Sequence, residues 1–181
     1  MDVKKLARIP AGGGHRVLGR AEGGRHRRSD PAAGSYDYVH PATCDHSRVA
    51  YAEVLPDERG ETCASFLLRA GAFFAEPGVR IREVMTDEAL SYTRSAAFSE
   101  ALGARHVTTG PYNAALNGKA ERFGRTLVEE WASARLYRSN EARARALPWW
   151  LYHYNHRCPH TALGGLTPMQ VLVNNVGGNH T

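Results

Sequence analysis

The sequence predicts an α/β fold in which a mixed, five-stranded sheet carries helices on both faces. Three observations lead there. Two strand-like runs, Tyr36–Thr43 and Arg48–Leu55, follow one another across a short polar turn, the pattern of an antiparallel hairpin. Beyond residue 60, strand and helix patterns alternate, which stacks helices over a sheet. At 181 residues, with 43% hydrophobic and 23% charged residues, the chain has the length and composition of one domain with a real core.

The elements follow in order. Val3-Lys4-Lys5-Leu6 alternates and opens the chain as a first short strand. Residues 9–35 read as a loop-like, basic, Gly-rich insertion. Gly12-Gly13-Gly14 is followed by no P-loop Lys-Ser/Thr and reads as linker. In the first hairpin strand Pro41 removes a ladder donor and predicts a break or bulge. Cys63, Phe66, Leu67, Ala70, Phe73 and Phe74 make 60–76 helical, with Pro77-Gly78 as its stop. Val79–Thr86 is a strand ending at Asp87, Ser95–Leu102 a short helix closed by Gly103, and Arg105–Thr109 the fifth strand. A long helix is expected from about Ala115 to Tyr137, with Ala120, Phe123, Leu127, Trp131 and Ala134 as its core stripe. Another runs from about Glu141 to His156, kinked at Pro148. The core is expected to span 1–170, with 171–181 as a tail.

Charge is unevenly placed. The first thirty residues hold eight Lys/Arg (Lys4, Lys5, Arg8, Arg16, Arg20, Arg25, Arg27, Arg28) against Asp2, Glu22 and Asp30, and the rest of the chain balances fifteen of each sign. The whole excess of +5 therefore sits in one stretch, which suits a phosphate backbone or a solvated basic loop. No run of about 18 apolar residues occurs and no charged-then-apolar leader opens the chain, so a soluble protein without a signal peptide is expected. Cys44, Cys63 and Cys158 are odd in number and widely spaced, which argues against a disulfide framework and fits a cytoplasmic setting.

Three acids stand in places where chemistry collects. Asp87 lies just past a strand's C-terminal end, where α/β folds gather ligands. Glu121 shares a helix face with Asn117 and Arg125, away from the apolar stripe. Asp2 precedes the first strand. Lys119, Arg122 and Arg125 flank Glu121 and could hold a DNA backbone, or simply form an exposed basic face. Tyr112, in the loop before that helix, is a candidate base-stacking group or a packing residue. His153, His156, Cys158 and His160 cluster, but their spacing fits no standard zinc site. Trp149, Trp150, Tyr152 and Tyr154 read as core and edge packing, with a stacking platform as the alternative.

The segments Met1-Asp2-Val3-Lys4-Lys5-Leu6, Tyr36-Asp37-Tyr38-Val39-His40, Asp45-His46-Ser47-Arg48, Tyr51-Ala52-Glu53-Val54-Leu55 and Val84-Met85-Thr86-Asp87 occur in one order. Asn117-Gly118-Lys119-Ala120-Glu121-Arg122-Phe123, Tyr154-Asn155 and Pro159-His160-Thr161-Ala162-Leu163-Gly164-Gly165 complete the series. Together they resemble the integrase-type catalytic core of the DDE transposases, closest to the IS481 family of bacterial insertion sequences, from residue 2 to about 170. The resemblance implies an RNase H-like fold and a catalytic, metal-holding set at Asp2, Asp87 and Glu121. It implies two Mg²⁺ or Mn²⁺ ions, transposon-end and target DNA as partners, and a homo-oligomer on DNA. Such chemistry displaces one phosphate oxygen by another, with metals about 3.5–4 Å apart on the incoming and leaving oxygens, and hard cations of this kind take carboxylate oxygens.

The sequence also departs from that family's pattern. Glu88-Ala89 follows the second Asp where Asn-Gly is usual, and 33 residues separate Asp87 from Glu121, a couple fewer than usual. Cys44 stands in place of a common Asp, Cys158 in place of Arg, and Asn113-Ala114-Ala115-Leu116 in place of a more polar loop. One residue precedes Asp2, so half of a normally central strand and the usual helix-turn-helix region are not in the sequence. A truncated, inactive remnant that only binds nucleic acid or transposase subunits is the alternative expectation.

Overall fold

All five expected strands form, but they make two ladders and not one sheet. The computed structural model describes residues 1–10, 12–29, 34–109 and 114–177, side chains at 15, 16, 26, 102 and 114–117 excepted. Strand β1 (Lys4–Ala7) pairs antiparallel with β2 (Tyr36–Thr43), which pairs antiparallel with β3 (Ala50–Leu55). The second ladder is β4 (Glu83–Thr86) parallel to β5 (Arg105–Thr108). The expected five-stranded sheet is thus corrected to three plus two. Strand β1 is only four residues long and spends its pairing on β2. Toward β4, the Met1 amino group donates to the Met85 carbonyl at 2.6 Å, and one such bond does not make a ladder.

Strand β2 runs unbroken through Pro41, against expectation. The Cys44 amide donates to the Val49 carbonyl at 2.8 Å, and pairing alternates from there along the hairpin. That alternation turns the Pro41 nitrogen away from β3, on a side where β1 has already ended its pairing at Val39. No ladder donor is missing.

Alternation also sorts the side chains. Val39, Ala50 and Ala52 enter one core with Phe123, Leu127, Trp131, Leu147, Leu151 and Tyr154. His40, Ala42 and Tyr51 face the other way, against helix α3 (Gly60–Ala75), where Phe66 is fully buried. The first layer comes from α6 (Ala114–Leu127), a π-turn (Val128–Ala132) and α7 (Asn140–Arg157). The long helix therefore stops short of Tyr137. Within the π-turn the Ser133 amide bonds the Val128 carbonyl, so Ala132 is buried and Ala134 is left exposed. Helix α7 is capped by the Ser139 hydroxyl, which accepts from the Ala142 amide at 3.1 Å, and carries Pro148 on its exposed side.

Three further elements depart from the sequence reading. The insertion at 9–35 contains helices α1 (His15–Leu18) and α2 (Arg20–Ser29). Helix α4 (Leu90–Thr93) precedes α5 (Ala96–Leu102), and their Tyr92 and Phe98 pack with Val84 of β4 and Cys63 of α3. Residues 168–177 form helix α8 (Pro168–Gly177), which buries Leu172 against α3, so the chain beyond 170 is not simply a tail.

Two asparagine side chains tie the layers to the strand ends. Asn155 of α7 accepts from the Ala50 amide at 2.9 Å and donates to the Ala50 carbonyl at 2.8 Å, filling both groups on β3's open side. Asn140 does the same for Ile9, at 2.7 and 3.0 Å. Beside it the buried Arg143 donates to Asp37 at 2.9 Å and to the Ala7 carbonyl at 3.2 Å, while Trp131 Nε1 donates to the Arg143 carbonyl at 3.0 Å. Among the described residues no helix is long and apolar enough to cross a membrane.

Candidate functional site

Asp87 follows directly on β4, half-buried, where the ladder releases the chain. Its Oδ1 accepts from the Ala89 amide at 3.1 Å, an Asx turn that closes this corner without the usual glycine. The residue before it is anchored from below. The fully buried Thr86 hydroxyl donates to the Asp87 carbonyl at 2.8 Å and has its single proton committed there, so His106 Nε2, also at 2.8 Å, is the donor to it. That places a proton on Nε2. Burial first, and then the positive Met1 amino group, hold His106 below the ordinary histidine range.

Asp2 comes into the same neighbourhood. Burial lowers the Met1 amino group, while the charges of Asp2 and then Asp87 act to raise it. Burial pushes the Tyr92 phenol up, and the charges of Cys63, Asp87 and Asp2 add to the shift. Asp2, with a side chain only 12% exposed, is already paired with Lys4 Nζ at 2.5 Å. Gly124 of α6 makes room for that lysine, since a Cβ there would stand 2.5 Å from Lys4 Cε. Lys4 thus lies between the first acid and the helix that carries the third.

Glu121 projects from α6 as an exposed side chain, one turn before Gly124, while Phe123 and Leu127 of the same helix are buried. The structure brings Asp2 and Asp87 near one another and leaves Glu121 outside that pair. Carboxylate oxygens suit a hard divalent ion in kind. Their arrangement does not. Among the described residues no three His, Cys, Asp or Glu side chains gather closely enough to hold a metal ion, and a lysine ammonium already neutralises Asp2.

The candidate DNA contacts divide. Arg122 and Arg125 are exposed and make no ion pair among the described residues. Lys119 is held by Asp45 of the hairpin turn at 2.8 Å. Tyr112 and the side chain of Asn117 lie outside the described residues. The aromatic group on α7 divides too. Trp150 and Tyr154 pack on Phe123, whereas Trp149, 78% exposed, and Tyr152 face outward. His153 and His156 are also on the outside, while His160 meets the Tyr154 ring edge at 5.0 Å.

Several of the family-like motifs are framework. In the hairpin, Ser47 is buried and its hydroxyl accepts from the Val49 amide at 3.3 Å, while Arg48 turns the chain at φ +66. The 160–166 loop closes through the His160 and Gly165 amides, at 3.0 Å each, with Gly164 and Gly165 at positive φ. Sequence reasoning missed the roles of Lys4, His106, Arg143 and Asn140. An i, i+2 spacing of Asp2 and Lys4 on a strand hints that they share a face. The others join positions far apart in the chain.

Two family models, each described as an integrase core domain, match this chain, one over residues 16–114 and the other over 102–168. Asp87 and Glu121 fall within these spans and Asp2 falls in neither. The catalytic core domain of BIV integrase is similar in structure, at 19% identity and a TM-score of 0.60, covering 80% of this chain and 91% of that one. A chain of the simian T-cell lymphotropic virus intasome in complex with PP2A regulatory subunit B56 gamma is similar at 21% identity and a TM-score of 0.62. The match covers 94% of this chain and spans about half, 52%, of that one. At these identities the likeness is one of fold, the RNase H-like α/β fold of integrase cores. No curated protein matches the chain.

Proposed function

The chain belongs to the integrase core domain family, and from that premise we propose that it acts on DNA in integration or transposition. The observation that carries the reading is the pair of family matches, which overlap and together run from residue 16 to 168. The position of Asp87 at the free end of β4 supports it. We assign Asp2, Asp87 and Glu121 as the catalytic set for phosphodiester cleavage and strand transfer, and as the residues that would hold two Mg²⁺ or Mn²⁺ ions in a form where Glu121 joins the other two and Lys4 releases Asp2. Arg122, Arg125, Lys119, Asn117 and Tyr112 are the proposed DNA contacts. Transposon ends and target are the proposed substrates, a DDE transposase of the IS481 type the proposed kind of enzyme, and a homo-oligomer on DNA the proposed working form.

Metal binding tests the assignment before activity does. Mn²⁺ at about a hundred times its dissociation constant is expected to raise Tm by roughly 5–10 °C. The shift is expected to vanish in Asp87→Ala and to grow in Lys4→Met, which removes the ammonium from Asp2. No shift, or one unchanged in Asp87→Ala, sinks the metal site. A strand-transfer assay on transposon-end DNA then reads turnover.

The Lys4–Asp2 pair and the outlying Glu121 favour a second reading. In it the chain is an inactive core that binds DNA or intact subunits, and Mn²⁺ leaves Tm unmoved while DNA binding persists.

A further inference from the structure

A cleft of about 410 Å³ opens between the inserted helix pair and the chain that leaves the π-turn, away from Asp2 and Asp87. Its walls include Ile9, Val17, Leu136 and Tyr137, and Arg27 and Arg135 line it from opposite sides of the sequence. The wall is anchored, because Asn140 grips both main-chain polar groups of Ile9. Gly13, at φ +109, brings the chain so close to Val17 that a Cβ there would stand 2.9 Å from the valine Cβ.

Among the described residues, the charged side chains that line this cleft are all arginines. Arg8 and Arg143 also line it, but Asp37 holds both, at 3.3 and 2.9 Å. Arg27 and Arg135 are exposed, and among the described residues they have no ion pair and no Asp or Glu lines the cleft. Arg20, Arg25 and Arg28 of α2 are exposed nearby and likewise unpaired. An apolar cavity with an aromatic wall and a guanidinium rim matches a base joined to phosphate, because the ring stacks and planar guanidinium forks grip phosphate oxygens. A duplex keeps its bases stacked inside and reaches only the rim.

We propose that this cleft binds single-stranded nucleic acid, taking one unstacked base against Tyr137 and the flanking phosphates on Arg27 and Arg135. The inference rests on the reading that the chain acts on DNA, but it uses none of the three acids.

The test measures binding of the full chain to a fluorescein-labelled oligothymidylate and to a duplex of equal length, by anisotropy across a salt series. The single strand is expected to bind more tightly. Arg27→Gln with Arg135→Gln is expected to lower the slope of log affinity against log salt by about 1.4, at roughly 0.7 per phosphate contact on a single strand. Tyr137→Ala is expected to weaken the single strand by about fivefold to a hundredfold, with duplex binding little changed and Tyr137→Phe restoring affinity. Circular dichroism melts confirm that each variant is folded. Unchanged slope and affinity in the variants overturn the proposal. So does equal binding of duplex and single strand with Tyr137→Ala silent, or equal competition by polyglutamate. Asp87→Asn is expected to leave this binding intact, so a dead acid site and a wrong cleft give different results.

Discussion

Strands β2 and β3 are covered on both faces, by α3 on one and by α6 with α7 on the other, and their side chains enter two separate cores. Strands β4 and β5 are four residues each, and β4 gives only Val84 to a single core with α3, α4 and α5. The first region holds its edge with side-chain amides and a buried Arg143–Asp37 pair. The second meets it through the Met1–Met85 bond and the flank of α3. The acid that ends β4 therefore sits on the more lightly built part, where opening costs least. A site whose third member stands apart on another helix needs that kind of freedom if it is to assemble.

Breaking the stronger region should have the largest effect. Asn155→Ala leaves the Ala50 amide and carbonyl without partners in a buried place. It is expected to cost about 2–4 kcal/mol, read as a drop in the urea midpoint at unchanged m-value. A loss below about 1 kcal/mol means that water replaces the amide there and that the edge is not specially secured.

The seam comes next. Gly60 starts α3, and a Cβ on it would fall 2.2 Å from Ser95 Oγ, the group that caps α5 by accepting from the Phe98 amide at 3.1 Å. Gly60→Ala is expected to cost about 1–3 kcal/mol by crowding and cap loss. Hydrogen exchange should rise in 90–102 before it rises in β2 and β3. Simultaneous exchange in both would erase the contrast.

Acid should act on both regions. Burial holds His40 of the hairpin and His106 of β5 below the ordinary histidine range. The unfolded chain then binds more protons than the folded one, so stability is full above about pH 6.5 and falls as pH drops through that value. The urea midpoint is expected to be lower at pH 5.5 than at 7.5, and the gap to narrow in His40→Gln and in His106→Gln. A gap unchanged in both variants would falsify the burial account.

The smallest effect belongs to Arg105 and Glu83, which join the edges of the second ladder at 2.5 Å with side chains 70% and 50% exposed. Arg105→Ser is expected to change stability by about 0–1 kcal/mol, and less still in 0.5 M salt. A larger loss would show that β4 and β5 lean on this pair.

Where side chains alternate or repeat with helical period, the fold was legible. All five strands and the helices at 60, 96, 114 and 140 carry such patterns because each must bury one face. Helix α2, Arg-Ala-Glu-Gly-Gly-Arg-His-Arg-Arg-Ser, buries no apolar stripe and so left no period to read. Helix α8 did offer Pro168 as a start signal, with Met169 and Leu172 inward, and could have been found. The site was legible as residue types and not as an arrangement. No spacing reveals that Lys4 lies across Gly124, or that Trp149 faces water while Trp150 packs on Phe123.

The amide of Asn155 has a consequence beyond holding α7 in place. Open strand edges invite other strands, and a β-sheet that ends in free N–H and C=O groups is a template for aggregation or swapping. On β3 the first such pair, at Ala50, is already answered by a side chain of the same molecule. An arriving strand would have to evict that amide before its second rung could form. Copies of this chain are thereby steered away from pairing edge to edge at the start of β3.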